Sequence, residues 1–230
     1  AFGDFNHDGW IDIAMARNKE PHMFDDDEAF GGGVPDFKRY HDLWGESLGR
    51  RRCGEATPIY CWWPPAAPRI RDYNPTMKWV LLLREPASRA YSHWNMERSR
   101  GLESQPFEAA LDCEVRDLVE RPGLYARTRS FLSRGFYAQQ LERLFALFPR
   151  EQVLVLRSDW LRNDPARTIG RVLEFLEDGP MGPTEAIEAH VRSYPEPLDP
   201  GTRAKLAGFF EPEIRRLEAL LGWDLSDWRR

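Results

Sequence analysis

A chain of 230 residues, 42% of them hydrophobic, can bury one sizeable core, as one domain or as one domain with a small appendage. Its formal charge of −5 excludes a global basic field for nucleic acid, and no apolar run approaches the roughly 18 residues that cross a membrane. Arg outnumbers Lys 28 to 4, a bias toward the side chain that forks onto phosphate or sulfate and one that a GC-rich genome also produces. Cys53, Cys61 and Cys113 make no disulfide framework. Thiols of a reducing cytosol are expected over a Cys53–Cys61 pair. With no signal peptide in view, the expected compartment is the cytoplasm.

The chain opens with Asp4, Asn6, Asp8, Gly9 and Asp12. Oxygen side chains at alternate positions followed by Gly have the logic of a calcium loop. The dozen residues resemble loops of dockerin modules and FG-GAP repeats. They read equally as a polar turn before a short strand, Ile11–Ala16. Glu20 and His22 come after that strand, ahead of four consecutive acids beginning at Asp25. A Glu and a His at one strand end could move protons, although alone they more often belong to a solvated loop. Gly31–Gly33 with Pro35 reads as a linker, since the Lys-Ser/Thr of a phosphate loop is missing. Phe37, Tyr40, Leu43, Trp44 and Leu48 have the spacing of an amphipathic helix over 36–50. Trp62-Trp63-Pro64-Pro65 reads as a rigid surface wrap or the lining of a sugar or partner groove.

Lys78–Glu97 is the stretch around which the rest of the chain is organised. Its apolar run to Leu83 predicts a strand buried on both faces of a parallel sheet. Arg84 then ends the strand, Pro86 suits a first helical turn, and Ser92 stands two turns in. Ligands of open α/β sheets bind beyond the carboxyl ends of the strands, where helix N-termini and Arg favour phosphate. Arg84 and Ser92 are therefore expected to hold a phosphate; the alternative is an Arg84–carboxylate pair with Ser92 facing solvent. Pro106 opens a helix striped with Phe107, Leu111, Val115 and Leu118. Leu141, Leu144, Phe145 and Phe148 stripe another that Pro149 stops. Gln152–Leu156 reads as a strand, Asp164-Pro165 as a helix start, and Asp199-Pro200 as the start of a last helix, bent or interrupted at Pro212. This alternation argues for an α/β fold with a parallel sheet.

Several stretches, in order, resemble the sulfotransferases that use 3′-phosphoadenylyl sulfate (PAPS), and within them bacterial relatives of the heparan sulfate enzymes. They are KEPHMFD at Lys19–Asp25, EATPIY at Glu55–Tyr60, LLLREPASRAYSHW at Leu81–Trp94, the run from Arg134 to Pro149, that from Val153 to Leu176, and that from Arg192 to Trp228. The resemblance implies a P-loop NTPase-like fold, a three-layer arrangement of parallel sheet flanked by helices, over residues 17–230, with 1–16 a separate calcium-loop-like segment. It implies that Arg84 and Ser92 bind the 3′-phosphate and that Arg192 lies in a loop closing over the nucleotide. It makes Glu20 the general base on the acceptor, with His22 and Asp25 beside it, and lines the acceptor cleft with Glu55, Thr57, Pro58 and Tyr60. The implied reaction is sulfuryl transfer from PAPS to a hydroxyl or amine, on a small-molecule or carbohydrate acceptor, with no metal, nucleic acid or membrane involved. The family's opening strand, its Lys-x-Gly-Thr-Thr type loop and the helix after it find no match, and Ala56 stands where Lys is frequent. The expected fold thus lacks its first strand–loop–helix, and a binding module without chemistry is the alternative.

Overall fold

Proline and aspartate punctuate the helices as their local chemistry dictates. In the computed structural model, residues 13–15, 20–33, 35–45, 52–121, 126–177 and 196–230 are described. The helices are α1 (Asp27–Gly31), α2 (Lys38–His41), α3 (Ala66–Tyr73), α4 (Pro86–Ser99), α5 (Phe107–Glu120), α6 (Tyr137–Phe145), α7 (Ser158–Asn163), α8 (Pro165–Leu176) and α9 (Pro200–Leu221). Asp164 caps α8 by accepting from the Arg167 amide, and Asp199 caps α9 by accepting from the Thr202 amide. Each is followed by Pro, whose missing N–H costs nothing in a first turn. Helix α9 runs through Pro212 without interruption.

The strands are β1 (Ile13–Met15), β2 (Arg52–Gly54), β3 (Trp79–Leu83) and β4 (Val153–Arg157). Among the described residues they pair as β1–β2 and β3–β4. β1 and β2 run parallel, Ile13 opposite Arg52 and Met15 opposite Gly54. Strand β4 is buried at Val153, Val155 and Leu156, as its apolar run predicts. β3 is less covered than expected: Leu82 is 38% exposed, because a single described strand neighbours it.

The chain forms two compact units, one from Ala1–Leu82 with Leu144–Ala186, the other from Leu83–Arg143 with Ile187–Arg230. The first packs Trp62, Ile70, Phe148 and Leu156 in its core, and Trp79 meets Phe148 edge-on at 5.5 Å. Trp62 is therefore core rather than surface wrap. The second unit buries Phe131, Leu132, Leu141, Phe210, Ile214 and Leu217. Gly135 lies so close to α9 that a Cβ there would stand 2.7 Å from Phe210 Cε1.

Several expectations shift in detail. Helix α2 is one turn long, yet Tyr40 and Trp44 are buried as expected. The stripe on α5 turns from Val115, 39% exposed, to buried Ala110 and Glu114. Helices α3 and α7, only 8 and 6 residues long, are too short to show as periodicity. None of the three cysteines forms a disulfide. The calcium-loop residues Asp4, Asn6, Asp8 and Asp12, the boundary at 16/17, Leu48 and Arg192 lie outside the described residues.

Candidate functional site

In the first unit the segment from Glu20 is irregular and ends in a turn at Phe24-Asp25, just ahead of α1, whose first turn holds Asp27 and Glu28. His22 adopts φ 55°, a left-handed conformation that costs a non-glycine residue roughly 1–3 kcal/mol and persists only where neighbours enforce it. The enforcing contacts converge on Phe24 and Asp25. Phe24 is fully buried, with the Tyr40, Tyr60 and Tyr73 ring centroids 5.3, 5.7 and 5.3 Å away. Its amide donates to Tyr60 Oη at 3.4 Å, and its carbonyl accepts from Arg69 at 3.0 Å. Arg69 also pairs with Asp27 at 2.8 Å. Asp25, fully buried, turns its carboxylate to His22 Nδ1 at 3.1 Å. His22 Nε2 lies 3.4 Å from Glu20 Oε2, and both of these side chains are about half exposed. The result is a row from a buried carboxylate through an imidazole to an exposed carboxylate. A buried acid that orients one imidazole nitrogen fixes what the other nitrogen presents.

Behind this turn stands Glu55. Tyr40 donates to its Oε1 at 2.9 Å, and Thr57 and Tyr60 donate to Oε2 at 3.2 and 3.4 Å. Burial pushes the Glu55 carboxyl up, against the pull of those three hydroxyls, and the charge of Asp25 adds to the rise. Burial likewise pushes the Tyr40 and Tyr60 phenols up, so both remain donors. Of the expected cleft residues, Thr57 and Tyr60 are buried while Pro58 is exposed, as is Ala56, where Lys is frequent in the family.

The second unit carries Arg84 and Ser92. Arg84 precedes α4, half-buried, its carbonyl accepting from Tyr137 Oη at 2.8 Å. Burial raises that phenol to about 12. Among the described residues no carboxylate pairs with the Arg84 guanidinium. The expected alternative, an Arg84–carboxylate pair, is absent there. Ser92 is half-buried, one turn beyond Ser88 on α4. The helix N-terminus, which the strand–turn–helix pattern marks as favouring phosphate, is taken by a carboxylate of the chain itself. Glu85 caps it with both oxygens, accepting from the Ala87 amide at 2.7 Å and the Ser88 amide at 2.8 Å. Its carboxylate supplies the negative charge that this end of the helix attracts. Arg203 of α9 fastens the cap, reaching Glu85 Oε2 at 3.1 Å and Ser88 Oγ at 3.3 Å.

The buried face of α4 is mostly apolar, Pro86, Ala87, Ala90 and Trp94, but carries His93 and Glu97, with half-buried Arg89 beside it. Arg89 donates to the Phe131 carbonyl, and burial lowers its guanidinium pKa. His93, buried and edge-on to Phe131 at 5.0 Å, is held neutral, its pKa pulled down to about 2 by burial and by the charges of Arg134 and Arg89. Its Nε2 is 3.7 Å from Glu97, too far for a hydrogen bond, and Glu97 pairs instead with Arg100 at 3.2 Å. Glu114 of α5 accepts from the Leu132 and Ser133 amides at 2.7 and 2.9 Å, clamping the segment ahead of α6. Tyr91 Oη donates to the Glu196 carbonyl at 2.8 Å. Sequence reading missed Arg69, Tyr40, Glu114 and Arg203, whose partners lie between 15 and 118 residues away.

Residues 67–193 match the model of the sulfotransferase domain. The chain belongs to the sulfotransferase family. It is 31% identical over 161 residues to human heparan sulfate glucosamine 3-O-sulfotransferase 3B1, covering 70% of this chain and 39% of that protein. It is 28% identical over 196 residues to the mouse bifunctional heparan sulfate N-deacetylase/N-sulfotransferase 4, covering 72% and 22%. The chain thus spans well under half the length of these curated relatives. A sulfotransferase from Alicyclobacillus acidocaldarius superposes with TM-score 0.79 at 28% identity, over 95% of this chain and 89% of that one. The fold is that of a sulfotransferase, a mixed α/β architecture containing a parallel strand pair. Among the described residues no helix is long and apolar enough to cross a membrane, and no group of three or more His, Cys, Asp or Glu side chains converges as a metal site.

Proposed function

We propose that this sulfotransferase-family chain transfers a sulfuryl group from PAPS to a hydroxyl or amine of a carbohydrate. The observation that carries the reading is the Arg84 guanidinium, half-buried, backbone-anchored through Tyr137 and lacking a carboxylate among the described residues. Such a group suits the 3′-phosphate of the nucleotide, with Ser92 donating beside it. Glu20 would take the proton of the attacking acceptor, as the acceptor oxygen or nitrogen bonds to sulfur and the sulfur–oxygen bond to the nucleotide phosphate breaks. His22, turned by Asp25, would orient Glu20 or the acceptor. As in phosphoryl transfer, alignment and charge do most of the work. Carbohydrate is favoured as acceptor because curated relatives act on heparan sulfate glucosamine by name.

Adenosine 3′,5′-bisphosphate is expected to raise the melting temperature, and radiolabelled PAPS to label a heparan-type acceptor. The absence of any thermal shift at millimolar nucleotide would overturn the donor assignment. A shift without transfer would instead mark a nucleotide-binding scaffold that has lost its chemistry.

A further inference from the structure

The geometry points to Glu55 as the positioning residue of the Glu20–His22–Asp25 row, acting through the tyrosines that hold Phe24 rather than by touching the acceptor. The inference rests on the acceptor-side reading above but concerns an arrangement that exists without nucleotide or acceptor.

Glu55 lies too deep in its own hydrogen bonds to serve an acceptor well. Oε1 is taken by Tyr40 at 2.9 Å, and Oε2 is shared by Thr57 at 3.2 Å and Tyr60 at 3.4 Å. What these bonds accomplish is orientation. Tyr40 and Tyr60 each set an edge against the Phe24 ring, at interplanar angles of 79° and 80°. A phenol anchored at its hydroxyl cannot swing, so the carboxylate fixes two walls of the Phe24 pocket at once. The Tyr60 hydroxyl, while donating to Glu55, also receives the Phe24 amide. Glu55 therefore fixes the direction of the peptide just before Asp25.

Asp25 has no freedom of its own, being fully buried, and it is the residue that engages His22 Nδ1. His22 in turn sits at an unfavourable φ of 55°, so the turn needs external restraint. Arg69 supplies one restraint from the carbonyl side of Phe24; the Glu55–tyrosine lattice supplies the other from the amide side. The cost of taking a carboxylate partly out of water accounts for the three hydroxyl donors converging on half-buried Glu55. A residue chosen only to fill space there would need none of them.

The readout is the His22 imidazole, observed by two-bond proton–nitrogen correlation and assigned by its disappearance in His22→Gln. In the wild type the Asp25 contact is expected to hold one tautomer. Glu55→Leu should release it to a mixture, and so should Tyr60→Phe, which removes one oxygen and leaves the ring. If Glu55→Leu fails to fold, Tyr60→Phe and the double variant Tyr40→Phe/Tyr60→Phe carry the same test, since neither buries a new polar group. Folded variants whose His22 signals match the wild type would overturn the proposal. Titration with adenosine 3′,5′-bisphosphate keeps the two readings apart. A released tautomer together with normal nucleotide binding supports the positioning role, whatever the acceptor proves to be.

Discussion

The two halves of the proposed machinery are built on opposite physical plans. In the second unit the cation Arg84 is carried by regular structure: a proline at a first turn and a 14-residue helix whose cap is supplied by the adjacent residue. In the first unit the carboxylates sit on an irregular turn with a left-handed histidine, held by contacts from residues that lie 36 and 45 positions along the chain. One plan places a charge by local geometry and leaves it available. The other creates geometry by restraint and consumes most of its polar groups in doing so. Anion binding tolerates the first plan, because a half-buried guanidinium without a carboxylate partner among the described residues attracts an anion without further aiming. Proton transfer demands the second, because a base must be aimed within hydrogen-bond reach.

The sharpest way to separate the plans is to remove the proposed base. Glu20→Gln is expected to cut turnover by about 10²–10⁴ while leaving nucleotide binding unchanged, measured by transfer rate and by the thermal shift with adenosine 3′,5′-bisphosphate. Arg84→Ala should do the reverse: it should abolish the nucleotide-dependent shift and lower kcat/KM by about 10²–10³. A variant that lost both properties equally in each case would erase the distinction.

Stability probes come next. Gly135→Ala places a Cβ within 2.9 Å of two Phe210 ring carbons, and Phe210 is fully buried with nowhere to retreat. It should cost about 1–3 kcal/mol in denaturant unfolding, the range for an overpacked core. A neutral result would show that α9 can slide away from Gly135. The smallest effect is acid sensitivity. His93 titrates near 6.5 when unfolded and near 2 when folded, so between those values the unfolded chain binds the extra proton. Stability should therefore fall as pH drops below about 6.5, by at most about 1.4 kcal/mol per unit from this residue. The half-buried Glu55 and buried Glu114 carboxyls work in the other direction. Their raised values add stability below the ordinary carboxylate pKa, and it is lost as pH rises through the folded values. Because both remain in His93→Leu, the difference between its pH profile and that of the wild type isolates the histidine. Identical slopes would refute the assignment.

Much of both units could be read directly. Pro86, Asp164-Pro165 and Asp199-Pro200 begin helices because caps and first turns are settled within three or four residues. The apolar run of β4 and the family motifs around Arg84 and Ser92 belong to the same class of local signal. Even here, one local fact escaped. A Glu at position 85 is an uncommon cap, and its bidentate hold on two amides closed the helix end that an anion was expected to use.

Sequence alone thus determined the family, the α/β class and the candidates Glu20, His22, Arg84 and Ser92, since motif order and short-range turn chemistry are properties of neighbouring residues. Only tertiary structure decided that Asp25 is buried behind His22 and that Glu55 is spent on three hydroxyls. It also decided that Glu114 grips a loop 18 residues away and that Arg203 braces a cap 118 residues away. Those choices depend on which distant side chains share a dry space, where an unpaired charge is costly and any reachable partner is taken. No spacing within the chain encodes that.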